Sequence, residues 1–215
     1  MSVKIVVTGG SGRFGKILKR TKTNYKMFYP NKNDLNIRSY EKTKLYLKKR
    51  KPKIVIHLAG LSRPMITHKK NISESIMLNI IGTANLVRAC SDLKIKIVYF
   101  STSYVYEGKK GNYKENDPLL PWNNYAWSKL GGECSVQMYP NSLILRVCMT
   151  ERPFLHKKAY TNVKLNFIFQ DELVKLLFKV INKKGILNIG GKTKTVYAFA
   201  KKYNSKVKKI KSKGE

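Results

Sequence analysis

The chain has 215 residues, 42% hydrophobic and 26% charged, ordinary values for one folded domain with a small appendage, and they exclude a disordered, collagen-like or fibrous chain. With 44 lysines and arginines against 12 acidic residues, the net charge is +32, which brings nucleic-acid binding to mind first. The lysines run through nearly every segment, only residues 201–214 resemble a basic tail, and no zinc finger, ribonucleoprotein-type aromatic motif or heptad-plus-basic region appears; the charge therefore reads as a solvated surface or as steering for an anionic small substrate, and nucleic acid is not expected as a partner.

In chain order, "KIVVTG" at 4–9 reads as a strand, a helix starts at Phe14, "YKMFYP" at 25–30 is a strand, and 39–51 is a helix. "KIVIHLAG" at 53–60 is a strand, 73–93 one helix, "KIVYFST" at 96–102 a strand, with a further helix around Tyr125 and a strand at 142–148. Continuous Val/Ile runs are the mark of parallel strands buried on both faces, so the pattern predicts an α/β fold with a Rossmann-type doubly wound parallel sheet. Beyond it, 149–164 reads as a loop, "LNFIF" as a strand, 170–184 as a helix, "GILNIGG" as a strand and 195–203 as a short last helix. The expected division is a dinucleotide-binding domain over 1–150 and a reduced substrate-binding portion over 151–215, packed on the open edge of the sheet.

Cys90, Cys134 and Cys148 show no CxxC spacing and no paired histidines, so neither a disulfide framework nor a metal site is expected, and a reducing cytoplasm fits. The apolar start is too short for a membrane span and lacks a cleavage pattern, so the protein is expected to be soluble, with no membrane partner.

"TGGSGRFG" at 8–15 contains a GxGxxG spacing (Gly10, Gly12, Gly15) and a GxxGxxG spacing (Gly9, Gly12, Gly15). It follows a strand and opens a helix, the context in which such glycines let the backbone approach a pyrophosphate at the helix N-terminus. The strand at 25–30 ends without the acidic residue that would hold a ribose 2′-hydroxyl. Asp34 lies at about the right distance but beyond the turn, while Arg13 and Lys32 could face a 2′-phosphate. NADP(H) is favoured, with NAD(H) as the alternative.

In "NNYAWSKLGGE" at 123–133, Tyr125 and Lys129 are one helical turn apart and share a face. Bringing a phenol from pKa ~10 to ~7 takes roughly 4 kcal/mol. One ammonium ~4 Å away, at an effective dielectric of ~20, supplies about that much. The strand end "YFSTS" offers Ser101, Thr102 and Ser103 as a third hydroxyl.

With "IHLAG", "LNIIGTANLVRAC", "YFSTSYVYEG", "LILR" and "LNIGG", these stretches resemble the extended short-chain dehydrogenase/reductases of the NAD-dependent epimerase/dehydratase superfamily, within them the dTDP-4-dehydrorhamnose reductase-like sugar-nucleotide reductases. The resemblance implies Tyr125 as proton donor, Lys129 as its pKa modulator and nicotinamide-ribose ligand, and Thr102 as the hydroxyl on the substrate carbonyl. It implies Gly9, Gly12 and Gly15 at the pyrophosphate with Arg13 and Phe14, Asp34 and Leu35 near the adenine, Leu58, Ala59 and Gly60 along the cofactor trough, and Asn79 supporting the site. Arg63, Ser103, Arg146 and Arg152 are the substrate-side candidates, Arg146 and Arg152 for a pyrophosphate together with Lys157 and Lys158. Dehydratases of similar sequence carry an Asp-Glu pair after the threonine; Ser103 and Tyr104 stand there, which favours hydride transfer to a 4-keto-6-deoxy sugar nucleotide, with 4-epimerisation or a non-catalytic dinucleotide-binding regulatory role as alternatives. The helices at 73–93 and around Tyr125 commonly form a homodimer interface in this family. This chain is shorter than such relatives after Arg146.

Overall fold

The computed structural model describes residues 2–212. It divides into two compact units, Met1–Arg146 with Val180–Asn188, and Val147–Lys179 with Ile189–Glu215. The elements of the first are β1 (Lys4–Thr8), α1 (Arg13–Arg20), β2 (Lys26–Phe28), α2 (Tyr40–Arg50), β3 (Ile54–His57), α3 (Thr67–Lys70), α4 (Ile72–Ile76), α5 (Gly82–Asp92), β4 (Lys96–Thr102), α6 (Asn124–Gln137) and β5 (Ser142–Val147). The second holds β6 (Met149–Thr150), β7 (Lys158–Tyr160), β8 (Lys164–Leu165), β9 (Ile168–Phe169) and α7 (Gln170–Val180). After β10 (Gly185–Ile189), which returns to the main sheet, it continues with β11 (Lys194–Thr195), α8 (Val196–Tyr203) and β12 (Lys208–Ile210).

The main sheet runs β10-β5-β4-β3-β1-β2, the doubly wound parallel arrangement expected from the sequence. The register sets Ile5 beside Ile54 and Val55 beside Ile97. β3, β4 and β5 are buried along their whole length, which is why their sequences run apolar without alternation. Leu47 of α2 and Leu86 and Cys90 of α5 close over Val6, Val55 and Ile97, all of them buried. α2 begins at Ser39, whose hydroxyl accepts the Lys42 N–H, and ends at Lys51 in the left-handed region, a normal stop for a helix.

The boundaries differ from expectation in four places. The second strand is only Lys26–Phe28. The expected single helix at 73–93 is interrupted by a π-helical turn, Met77–Ile81; such single turns are frequent at functional sites. "LNFIF" is two short strands, because β8 pairs antiparallel with β11 and β9 parallel with β6. The change of partner falls at Asn166, whose carbonyl accepts the Gly191 N–H at 2.7 Å. The stretch read as a loop contains β6 and β7, and β7 pairs with β12. The second unit's core is aromatic: Phe169 lies 5.2 Å and Tyr203 5.2 Å from the Phe199 ring. Among the described residues no helix is long and apolar enough to cross a membrane, and no three His, Cys, Asp or Glu side chains group to hold a metal ion.

Candidate functional site

The site lies at the carboxyl end of the first unit's strands, where β1 turns into α1. Gly9 has φ +71°, and a Cβ there would stand 2.5 Å from the Ala59 nitrogen; at Gly15 it would stand 2.7 Å from the Gly10 Cα and the Gly9 carbonyl. Those two positions admit no side chain, so the turn closes tightly on the start of β3's outgoing loop. α1 starts at Gly12, whose N–H is bonded to the Gly9 carbonyl at 3.0 Å, with no side-chain cap and no acidic residue in its first turn. A backbone cradle that any Cβ would fill, leading into uncapped helix N–H groups, fits a dinucleotide pyrophosphate. Phe14 is buried against Phe100, 5.1 Å between ring centres, and Arg13 is exposed.

Past β2 the chain offers Tyr29 and Pro30 with no carboxylate. Asp34 is exposed and its carboxylate accepts the Asn31 N–H at 3.3 Å, closing a turn in which Asn31 Oδ1 accepts from Asn33 and Asp34. Leu35 is in the core. The trough floor is Leu58, whose N–H is bonded to the Thr8 carbonyl at 3.2 Å, followed by Ala59 and Gly60.

Asn79 joins three segments. From the centre of the π-helical turn its Oδ1 accepts the Leu61 N–H at 2.7 Å, and its Nδ2 donates to the Leu61 carbonyl at 2.9 Å and to Ser128 Oγ at 2.8 Å. α6 approaches this closely because position 132 is glycine: a Cβ there would lie 2.4 Å from the Asn79 carbonyl oxygen. Asn79→Ala strands two partly buried backbone groups and is expected to cost about 1–3 kcal/mol, or a fall of roughly 2–12 °C in Tm by calorimetry. An unchanged Tm removes Asn79 as a tie between segments.

Tyr125 and Lys129 project from α6, which starts at Asn123, whose Oδ1 accepts the Ala126 N–H at 2.8 Å. Thr102 ends β4 near Tyr125, whose phenol its hydroxyl draws down, and Thr102 Oγ1 accepts the Tyr104 N–H at 3.3 Å. Lys129 lies one turn on, its Nζ 4.1 Å from the centre of the Tyr99 ring. Burial draws the Lys129 amine down to about 7, with Glu133 acting against it. Tyr125 stands above the usual phenol value: burial is the main cause, opposed by the Thr102 hydroxyl and the Arg63 charge. That direction is opposite to the one expected from an adjacent ammonium, because burial outweighs the neighbouring groups. Arg63 is exposed, and the Ser103 hydroxyl is enclosed without a hydrogen-bond partner.

Three residues central to this site were not singled out from sequence. His57, in the apolar run of β3, meets Thr8 Oγ1 at 2.7 Å through Nδ1 and Thr83 Oγ1 at 3.1 Å through Nε2. Thr83 donates to the Asn79 carbonyl at 2.8 Å, so it accepts from Nε2–H, and Nδ1 accepts the Thr8 hydroxyl, which in turn accepts the Ala59 N–H at 3.2 Å. This directional chain runs from the trough to the π-helical turn, and burial, then Lys129, push His57 down to about 3, so it stays neutral. His68 is buried with Nδ1 2.7 Å from Ser75 Oγ and its ring 5.2 Å from that of Tyr125. Glu133 is fully buried, four residues after Lys129. A polar residue in an apolar strand or helix face was the only available signal for each.

Arg146, expected at a substrate pyrophosphate, is 2% exposed and paired with Glu133 at 2.6 Å; it also donates to the Tyr106 hydroxyl at 2.6 Å and to the Glu115 carbonyl at 2.9 Å. Its position on the buried strand β5 turns the guanidinium inward, so the expectation is corrected to an internal ion pair. Arg152 belongs to the second unit, where it meets Glu172 at 3.0 Å and Asp171 at 3.5 Å and lies 3.8 Å above the Phe169 ring.

Residues 3–158 match the RmlD substrate binding domain family, and the chain belongs to it. Methionine adenosyltransferase 2 subunit beta of Xenopus laevis is 29% identical over 156 residues, covering 68% of this chain and 46% of its own length. dTDP-4-dehydrorhamnose reductase of Aggregatibacter actinomycetemcomitans is 27% identical over 152 residues, covering 68% and 51%. The chain thus spans about half the length of the curated relatives it matches. A dTDP-4-dehydrorhamnose reductase from Bacillus anthracis, solved in complex with NADP, superposes with TM-score 0.89 at 22% identity, covering 99% of this chain and 85% of that one, a likeness of fold.

Proposed function

We propose that this member of the family is an NAD(P)H-dependent reductase of a 4-keto-6-deoxy sugar nucleotide, with the dinucleotide on the first unit and residues 151–215 as substrate-binding portion. The observation that carries the reading is the glycine cradle that a Cβ would fill; Thr102 at the end of β4, with Tyr125 and Lys129 one turn apart on α6, supports it. The reductase relatives support the substrate class. Gly9, Gly12 and Gly15 would hold the pyrophosphate, and Arg13 with the acid-free end of β2 favours NADP(H) over NAD(H). The reduced nicotinamide, when bound, supplies the hydride. Tyr125 donates its phenolic proton to the substrate oxygen, and its raised pKa suits an acid that must arrive protonated. Thr102 holds that oxygen, and Lys129 binds the nicotinamide ribose and steadies the phenolate left behind. Arg63 and Ser103 face the substrate.

The similarity to a methionine adenosyltransferase subunit favours a second reading, a dinucleotide-binding regulatory partner. Turnover by the isolated chain separates the two. NADPH is expected to raise the Tm, and its absorbance is expected to fall on adding dTDP-4-keto-6-deoxyglucose-derived 4-keto sugar. Tyr125→Phe keeps the cofactor-dependent Tm rise and loses at least about 100-fold in kcat. Cofactor binding without turnover on any 4-keto sugar nucleotide moves the assignment to the regulatory reading, and equal activity of Tyr125→Phe removes the proton donor.

A further inference from the structure

The fold sorts charges that the sequence scatters. Lys4 of β1 is the register partner of Lys26 of β2. The Lys53 N–H is bonded to the Lys4 carbonyl at 2.9 Å, and the Lys96 N–H to the Lys53 carbonyl at 3.1 Å. Lys96 Nζ reaches the Lys183 carbonyl at 2.7 Å, which brings Lys183 and Lys184 to the same end. Lys4, Lys26, Lys53, Lys183 and Lys184 are all exposed. They form a row along the amino-terminal edge of the parallel sheet, where neighbouring strands are ~4.8 Å apart. Arg50, at the end of α2, extends the row, its guanidinium 5.2 Å from the Phe28 ring and 5.6 Å from that of Tyr46.

The first unit's carboxylates lie elsewhere. Asp34, Glu41 and Glu74 follow β2 and β3, and Glu107, Glu115 and Asp117 follow β4, all toward the opposite end; Glu133 is buried with Arg146. Asp92 is at the basic edge and is engaged by Lys44 and Tyr40. Lysines anchored on neighbouring strand ends stay in one row, and few anions of the chain itself relieve their repulsion.

We propose that this amino-terminal edge is a nucleic-acid-binding face that engages the sugar-phosphate backbone without reading sequence. A duplex carries one negative charge per ~1.7 Å of axis with a condensed counterion layer, so a rigid row of lysines gains by counterion release in a way a single acidic side chain does not offer. Adsorption to a bilayer also draws on apolar side chains entering the headgroup region, whereas the rings of Phe28 and Tyr46 here lie under Arg50. The face is opposite to the glycine cradle and does not depend on the reductase reading.

The test is fluorescence anisotropy of the full chain with a labelled 20-base-pair DNA duplex of arbitrary sequence, between 50 and 200 mM KCl. The Lys4→Glu/Lys26→Glu/Lys53→Glu/Lys184→Glu protein is expected to bind at least about 30-fold more weakly, and its salt slope to fall by about 3 to 4. A control with the same charge change on exposed lysines of the second unit, Lys164→Glu/Lys175→Glu/Lys192→Glu/Lys206→Glu, is expected to change affinity less than about 3-fold. Glutamine in place of glutamate gives the same comparison if the reversed protein fails to fold. Equal losses in the two sets, no binding at 50 mM KCl, or equally strong edge-dependent binding to vesicles containing phosphatidylserine each overturns the proposal.

Discussion

Lys129→Met is expected to raise Tm by roughly 4–16 °C at pH 7, at about 2–4 °C per kcal/mol for a chain of this size, while lowering the proposed turnover by at least about 100-fold. The lysine is held inside α6 against the Tyr99 ring and is drawn from 10.5 down to about 7 by burial. Unfolded, it binds a proton below 10.5; folded, it does so only below about 7. Between those values the unfolded state carries the extra proton, so stability is full above 10.5, falls as pH falls toward 7, and is flat below. At about 1.36 kcal/mol per unit the cost reaches about 5 kcal/mol, which partial exposure to solvent trims to about 2–4. The gap between variant and wild type should therefore be largest at and below pH 7 and close toward pH 10.5. A pH-independent gap, followed by differential scanning calorimetry, means that the methionine acts through packing alone. A stabilising Lys129→Met that also loses turnover would support the proposed role of the lysine.

Glu133→Ala is expected to cost about 3–5 kcal/mol, because it leaves the Arg146 guanidinium buried and uncompensated. Glu133 is the hub of its network: it accepts from Arg146 Nε at 3.0 Å, from Arg146 Nη2 at 2.6 Å and from Ser101 Oγ at 2.6 Å. The corresponding drop in Tm is roughly 10 °C. The double replacement Glu133→Met/Arg146→Met should cost less than the single alanine change, since it removes both charges and fills the space. A double variant at least as unstable as Glu133→Ala would show that the pair contributes net stability in its own right. The pair also ties β5 to α6 one turn beyond Lys129, so its loss is expected to loosen the site.

The sheet, its order of elements and the glycine turn were legible in the residues, because each rests on local rules. Continuous apolar runs give buried parallel strands, and glycines between a strand and a helix give a turn without side chains. The spacing of Tyr125 and Lys129 likewise fixed that they share a helical face. The sequence alone could not give the charge state of that pair: burial, which only the packed fold creates, raised the phenol and lowered the amine. Arg146 read as an anion ligand until β5 turned it inward to Glu133, and a strand buried on both faces is not distinguished from a half-exposed one by a single arginine. The π-helical turn at Met77–Ile81 leaves no periodic mark in five residues, yet it aims Asn79 at Leu61. His57 stands unremarked in an apolar strand, and only the fold brings Thr8 and Thr83, from β1 and α5, to its two nitrogens. Local chemistry thus determined the frame and the candidate pair by itself, whereas desolvation and long-range hydrogen bonds, which exist only once distant segments touch, decided how the site is charged and held.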